Sequence, residues 1–452
     1  MARPLPEGFP FPATILEVGL VIGGYDLSSR FHNTLTLRAR GTVETMHSGG
    51  TQTTTRNRGD MCPGTLRLFT ASDGMIGRVR SPGGYIQPHQ WTALGAMADD
   101  LGDGDVHITS RGNIQIRGVE SVDDFASAVT EAGLLPYPRH DRMRNYLASP
   151  LSGRSGSVGD VRSLVRAVDR EFIQHDDTAD LPGRTLFAFD DGRGDVIAER
   201  PDFGVIATTK TRPSDAHDFF DVVIGGDYLV GSLPRARVVD SVVELARQWQ
   251  ARRGKNWRIE ETPGAAEDLS QWARENLVGL EDPVHDVLPV YEESADNELG
   301  LRQPMGWIDQ DDGRVSLACV LPFGRMDSAC ARLLGAVGKP STVTCWHGVV
   351  VHDLTPAEAD EAVRFLAPRG LVFDAASPLA RVTACTGLPQ CRKSRDDVRS
   401  DAVRAMNAGS LPGGRVHFVG CERRCGAPNM DYTEFLAEGD GVYETSEVTH
   451  HA

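Results

Sequence analysis

Four cysteines lie near the C-terminal end of this 452-residue chain, as Cys385-x5-Cys391 and, after 29 intervening residues, Cys421-x3-Cys425. Thiolates are soft ligands, so two such pairs point to a metal centre, while eight cysteines in all are too sparse for a disulfide framework. Structural zinc usually takes cysteines about two to four residues apart, which the wider Cys385 gap suits poorly. An iron–sulfur cubane, with four iron corners, tolerates that spacing. Gly387, Pro389, Gly420 and Gly426 permit tight turns that aim sulfurs and backbone N–H groups at one cluster. Arg392, Lys393, Arg395, Arg423 and Arg424 flank the thiols, where positive charge favours thiolate and offsets cluster charge. A zinc ion and four unliganded buried thiols are the other readings of these residues. Cys319, Cys330 and Cys345 sit inside apolar patterns and read as core, whereas Cys62 opens CPGTLRL, where a Pro63-Gly64 turn can present it to a pocket.

The second chemical set is cationic. Arg67, Arg78, Arg80, Arg111, Arg117, Arg142, Arg144 and Arg184 fall in strands or turns of the first half. Guanidinium forks bind carboxylates bidentately and stay charged at any relevant pH. In TSRGNIQIRG, a period of two puts Arg111, Asn113, Gln115 and Arg117 on one face and Ile114 and Ile116 on the other. That polar face reads as a ligand wall; the competing reading is a solvated strand face.

These residues need elements to position them. From Cys62, GTLRLFTASDGMIGRVR alternates around the turn Asp73-Gly74 and predicts a hairpin. Trp91, Leu94, Met97 and Leu101 recur at helical spacing, VHITSRGNIQIRGV alternates again, and a second helix starts at the N-cap Ser121 and stops near Gly133. The same β-β-α-β-α order returns over residues 312–371. Gly74 and Gly313, Thr109 and Thr344, and Gly133 and Gly370 are each separated by 235–239 residues, which indicates one duplicated α+β unit. At an offset of 236, Ser149 falls on Cys385 and Ser155 on Cys391, so one copy carries hydroxyls where the other carries thiols. ARVVDSVVELARQWQARR predicts an amphipathic helix, and residues 258–300, acidic and rich in Pro and Gly, read as a link between copies.

With 47 Lys and Arg against 63 Asp and Glu, the net charge is −16. That balance excludes nucleic acid and anionic membrane surfaces as general partners, since both need a positive footprint. An anionic ligand must meet a local arginine cluster. The best apolar run, Ala13 to Gly24, contains Glu17 and is too short to span a bilayer or to read as a signal peptide, so a cytoplasmic protein is expected.

The paired cysteine motifs, the duplication and TSRGNIQIRG resemble the nitrite and sulfite reductase family. Within that superfamily MCPGTLRL, RVRSPGGYI, RNYLASPLSG and GCERRCG are similar to the precorrin-3B synthases of aerobic cobalamin biosynthesis. The resemblance covers about residues 58–445 and implies an α+β fold of duplicated ferredoxin-like half-domains with two associated α/β cluster- and tetrapyrrole-binding domains. Residues 1–58, rich in Thr, Gly and Arg, read as a loosely ordered extension with a short strand at Leu35 to Arg40 and lie outside the resemblance; beyond them the expected division is a half-domain (59–138), an α/β domain (139–290), a second half-domain (300–375) and a cluster domain (376–452). The resemblance also implies a 4Fe–4S cluster on Cys385, Cys391, Cys421 and Cys425, with Cys425 bridging to siroheme in members that carry it.

The resemblance puts Arg111, Arg144 and Arg184 at the family's pocket, and the polar strand face adds Asn113, Gln115 and Arg117, so these six are the expected tetrapyrrole-binding residues. The family's loop with two lysines appears here as LPGRTL, with Arg184 at the first lysine position and Leu186 at the second. Leucine can neither donate a proton nor hold an oxyanion, which argues against six-electron sulfite or nitrite reduction. The implied activity is a monooxygenase acting on precorrin-3A; the alternatives are a siroheme-dependent reductase and a non-catalytic iron–sulfur or tetrapyrrole-binding protein. The implied cofactors are the cluster, siroheme or a mononuclear non-heme iron, and NADH through a separate reductase, because no GxGxxG fingerprint is present. An electron-donor protein is the expected partner of a monomer.

Overall fold

The computed structural model describes residues 35–45, 59–209, 218–289 and 303–450. The Asp73-Gly74 turn closes the expected hairpin, pairing Phe69–Ala71 with Gly74–Val79. Helix Pro88–Leu101 begins with a capping box between Gln87 and Gln90 and buries Trp91, Leu94 and Met97. Ser121 caps the second helix, Val122–Glu131, by accepting from Asp124 N.

The strands form four five-stranded sheets. In the first, Phe69–Ala71, Gly74–Val79, Ile114–Val119 and Asp105–Ile108 lie side by side, and the fifth strand, Arg325–Asp327, comes from the second copy. In the second sheet, Gly306–Asp309, Val315–Val320, Gly348–Leu354 and Ser341–Val343 follow the same order, and the fifth strand, Tyr85–Ile86, comes from the first copy. Each copy thus lends its partner an edge strand, which removes two open edges at once. A glycine in the left-handed region precedes each exchanged strand: Gly84 (φ 75°), where a Cβ would sit 2.1 Å from Val343 O, and Gly324 (φ 70°), where it would sit 2.8 Å from Ile108 O. One hydrophobic core runs through both sheets, from Val79 and Trp91 to Leu317 and Leu334.

The other two sheets also match. Tyr146–Ala148, Phe187–Asp190 and Phe203–Thr209 run parallel, followed by antiparallel Asp218–Ile224 and Tyr228–Pro234. Val382–Ala384, Val416–Val419 and Tyr432–Gly439 are likewise parallel, followed by antiparallel Val442–His450. Its fifth strand is Thr36–Thr45, parallel to Val442–His450. The extension read as loosely ordered therefore contributes a strand longer than the one expected at Leu35 to Arg40, and pairing with Val442–His450 sets its register. The rest of 1–58 lies outside the described residues. The acidic link is also more ordered than its composition suggests, since Ala265–Asn276 is a helix that buries Ala266, Leu269 and Ala273.

Candidate functional site

Strand Val382–Ala384 delivers Cys385, whose N–H donates to Phe418 O at 2.9 Å and whose sulfur accepts from Gly420 N at 3.2 Å. Cys391 N donates to Gly387 O, closing the first loop. Cys421 and Cys425 follow strand Val416–Val419 in a second loop, turned by Arg424 (φ 48°), which grips buried Glu434 with two contacts of 2.6 and 2.9 Å. Burial raises the Cys425 thiol, and the neighbouring Cys421 and Cys391 sulfurs add to it. Burial likewise raises Cys385, with Cys425 adding. The four thiols picked out by spacing are thus electrostatic neighbours, and none is in a disulfide. Four soft donors on two loops, with a backbone N–H on sulfur and the charges of Lys393 and Arg423 opposing the rise at Cys425, fit a 4Fe–4S cluster.

Cys425 lies on the wall of a cavity of about 880 Å³, which also takes in Arg78, Arg111, Gln115, Arg117 and Arg184. Arg117 is held bidentately by Asp73, at 3.0 and 2.7 Å. Arg78, Arg111 and Arg184 make no ion pair with a carboxylate among the described residues. Arg111 donates to Arg184 O at 3.3 Å, Arg184 lies over the Trp257 ring at 5.8 Å, and Arg78 donates to Cys62 Sγ at 3.1 Å. Burial, aided by repulsion from Arg258 and Arg184, pulls the Arg111 guanidinium down to about 9. Three guanidiniums held this way favour an anion.

The expected ligand wall is only partly assembled. Gln115 and Arg117 face the cavity from strand Ile114–Val119, but Arg111 stands in the turn before it, where Thr109 Oγ1 accepts from Arg111 N and Asn113 N. Asn113 is not on the cavity wall; it is buried and donates to Asn145 Oδ1 at 2.9 Å. Arg144 is also off the wall, bonded to Asp169 at 2.8 Å through Nε and Nη2. Arg111 still reaches the cavity from that turn, while period-two reasoning failed at Asn113 because the strand starts only at Ile114. Leu186 does line the cavity, and among the described residues no lysine does. No motif pointed to Trp257 or to His347, which also line the cavity; burial pushes the His347 imidazole down to about 4, and its φ is 60°. Cys62, flagged by its turn, is there.

The first copy holds the counterpart of the cluster loops. Ala148 pairs with Phe189 as Ala384 pairs with Phe418, so Ser149 takes the place of Cys385. Asp191 N donates to Ser149 Oγ at 3.0 Å, as Gly420 N does to Cys385 Sγ, and Ser155 N donates to Leu151 O as Cys391 N does to Gly387 O. Ser149 Oγ donates to Asp195 at 2.6 Å, and Arg193 pairs with Asp191. This copy fills its loop with a self-satisfied acid and hydroxyl network.

Residues 71–131 match the nitrite/sulfite reductase ferredoxin-like half domain. A sulfite reductase (ferredoxin) from Synechococcus elongatus is 22% identical over 81% of this chain and 71% of its own length. A ferredoxin–nitrite reductase from Leptolyngbya laminosa is 29% identical over 33% of the chain and 30% of its own, and a precorrin-3B synthase from Sinorhizobium is 32% identical over 19% of each. The structure of the NirA protein of Mycobacterium tuberculosis superposes with a TM-score of 0.62 at 18% identity, covering 82% of this chain and 73% of that one. The chain thus carries the nitrite/sulfite reductase ferredoxin-like half domain and has the fold of that family.

Proposed function

We propose that the protein is an oxidoreductase that binds one tetrapyrrole in the 880 Å³ cavity, beside a 4Fe–4S cluster on Cys385, Cys391, Cys421 and Cys425. The observation that carries this is the shared wall: Cys425 and the uncompensated guanidiniums of Arg78, Arg111 and Arg184 line one cavity. Its size lies in the upper part of the range of about 300–1,000 Å³ for small-molecule and cofactor sites, enough for one macrocycle. When bound, the cluster supplies single electrons. Arg78, Arg111 and Arg184 take the peripheral carboxylates and set the orientation of the ring, and Trp257 holds Arg184 in place.

Within that class the reading is a precorrin-3B synthase-like monooxygenase. Precorrin-3A gains one oxygen of O2 at C20 and closes a γ-lactone; the second oxygen leaves as water, with two electrons from NADH through a separate reductase. Leu186 at the second lysine position, with no lysine on the wall among the described residues, supports it, since leucine can neither donate a proton nor hold an oxyanion. A mononuclear iron finds no ready donor set: among the described residues, three histidine or carboxylate donors converge at Asp103, Asp105 and His107 and at Asp190, Asp191 and Asp195, and both groups lie off the wall. The second reading, a siroheme-dependent reductase, is favoured by the match to the Synechococcus sulfite reductase over 81% of the chain.

Anaerobic purification and an absorption spectrum separate the two. An iron–sulfur shoulder alone, with turnover of precorrin-3A given reductant and O2, supports the monooxygenase; intense siroheme bands and sulfite or nitrite reduction overturn it.

A further inference from the structure

A second, smaller pocket of about 90 Å³ shares no lining residue with the large cavity. It forms where three parts of the fold meet: Tyr85 on the exchanged strand of the first copy, Arg154, Arg162 and Arg166 around the start of helix Arg162–Phe172, and Ser341 and His352 on the second copy's sheet. Its charge is unbalanced. Arg154 holds Asp353 through Nε and Nη2 at 3.0 and 3.2 Å, and Arg162 holds Asp160 through the same two nitrogens, both at 3.0 Å. Arg166 has no carboxylate partner among the described residues. Three guanidiniums therefore face two carboxylates that are already engaged.

Two polar atoms on this wall are buried with no protein partner among the described residues, Tyr85 Oη and Arg154 Nη1, and the Arg154 side chain is only 10% exposed. Both are donors. His352 does not meet them, since its two ring nitrogens are taken by Ser316 and Thr342 hydroxyls at 3.0 and 2.8 Å. Buried donors left without acceptors cost stability, so such atoms in a native fold call for an occupant. Neutral water supplies acceptors but leaves the excess guanidinium charge unanswered; the pocket is several times the space one water needs.

We propose that this pocket is a binding site for a free tetrahedral oxyanion of the size of phosphate or sulfate, which accepts from Tyr85 Oη and Arg154 Nη1 and neutralises Arg166. The bound anion bridges the exchanged strand, the first α/β unit and the second copy's sheet. It is independent of the redox reading, because none of its residues touches the large cavity.

The test is phosphate titration of the intact protein at constant ionic strength, followed by thermal unfolding and calorimetry, together with crystals soaked in phosphate or selenate. The expected results are saturable thermal stabilisation that chloride does not reproduce, and an anion peak within hydrogen-bond distance of Tyr85 Oη and Arg154 Nη1. Tyr85→Phe, which removes one oxygen, should weaken the stabilising phase about tenfold, the loss of one hydrogen bond to a charged group. Arg166→Gln, on the exposed side of the helix, should weaken it as well. Ordered water alone in the pocket at saturating anion, or affinity unchanged in both variants, would overturn the proposal. Anion density confined to the large cavity would do the same, while loss of tetrapyrrole binding leaves this site untouched.

Discussion

Arg144 holds Asp169 by two parallel contacts of 2.8 Å, Nε to Oδ1 and Nη2 to Oδ2, with side-chain exposures of 6% and 11%. A buried bidentate pair of this kind fixes structure and is not free to receive a ligand. Arg144→Met should therefore cost stability, about 3–5 kcal/mol as for a buried charge left alone. Chemical denaturation of the variant measures this. Tetrapyrrole affinity of the folded fraction should be unchanged, and a selective loss of affinity at wild-type stability would return Arg144 to the binding wall.

The cluster assignment separates the cysteines into three groups. Serine at Cys385, Cys391, Cys421 or Cys425 should abolish or sharply lower the iron and acid-labile sulfide of anaerobically prepared protein. Cys62→Ser should leave both intact. Cys319, Cys330 and Cys345 are buried, so in the cluster-loaded native protein Cys62 should be the thiol that an alkylating reagent labels first, and a bound tetrapyrrole should shield it. Peptide mapping by mass spectrometry reads the labelling pattern.

Gly84 and Gly324 test the strand exchange. Alanine at either position meets a carbonyl of the other copy in a left-handed backbone, at Val343 O and Ile108 O respectively. Strain and overpacking together should lower stability by about 2–5 kcal/mol. Alanine at Gly409, also left-handed but with nothing within 4 Å of its Cβ, should cost less, as strain alone. Equal losses at all three sites in denaturation curves would mean that contact across the copies adds nothing.

A pH dependence follows from Asp105, which lies 2.9 Å from Arg325 on the strand lent by the second copy. Burial raises this carboxyl to about 6; Arg325 opposes the rise, and Asp103 and Asp327 add to it. The unfolded group titrates near 3.8, so the folded state holds the proton more tightly. Its contribution is full below pH 3.8 and is lost as the pH rises through about 6. The stability difference between wild type and Asp105→Asn should therefore shift between about pH 4 and 6, with wild type losing ground as the pH rises. A difference that stays flat across that window contradicts the assignment.

Much of this was legible in the sequence. Turn chemistry at Asp73-Gly74, the Ser121 cap and the recurring landmarks gave the half-domains and their duplication, because local propensity and tertiary packing agree there. The thiol loops were legible from spacing alone. The strand exchange was not, since Tyr85–Ile86 and Arg325–Asp327 are too short to carry any periodicity, and their partners lie more than 200 residues away in the chain. The fate of Arg144 was hidden for a similar reason: nothing in RNYLASP announces that Asp169, one turn from the end of a helix, will claim it. Trp257 and His347 reach the cavity from segments without alternation, so only their place in three dimensions identifies them.

The lent strands have a consequence for how this chain can be divided. A cut in the segment between the two repeats would leave each fragment with one sheet lacking its edge and one surplus strand projecting from the other. Neither piece could close its own core, which is a single body drawn from both. Co-expressed fragments would have to clasp each other to fold at all, so activity restored by mixing them would report reassembly of the whole.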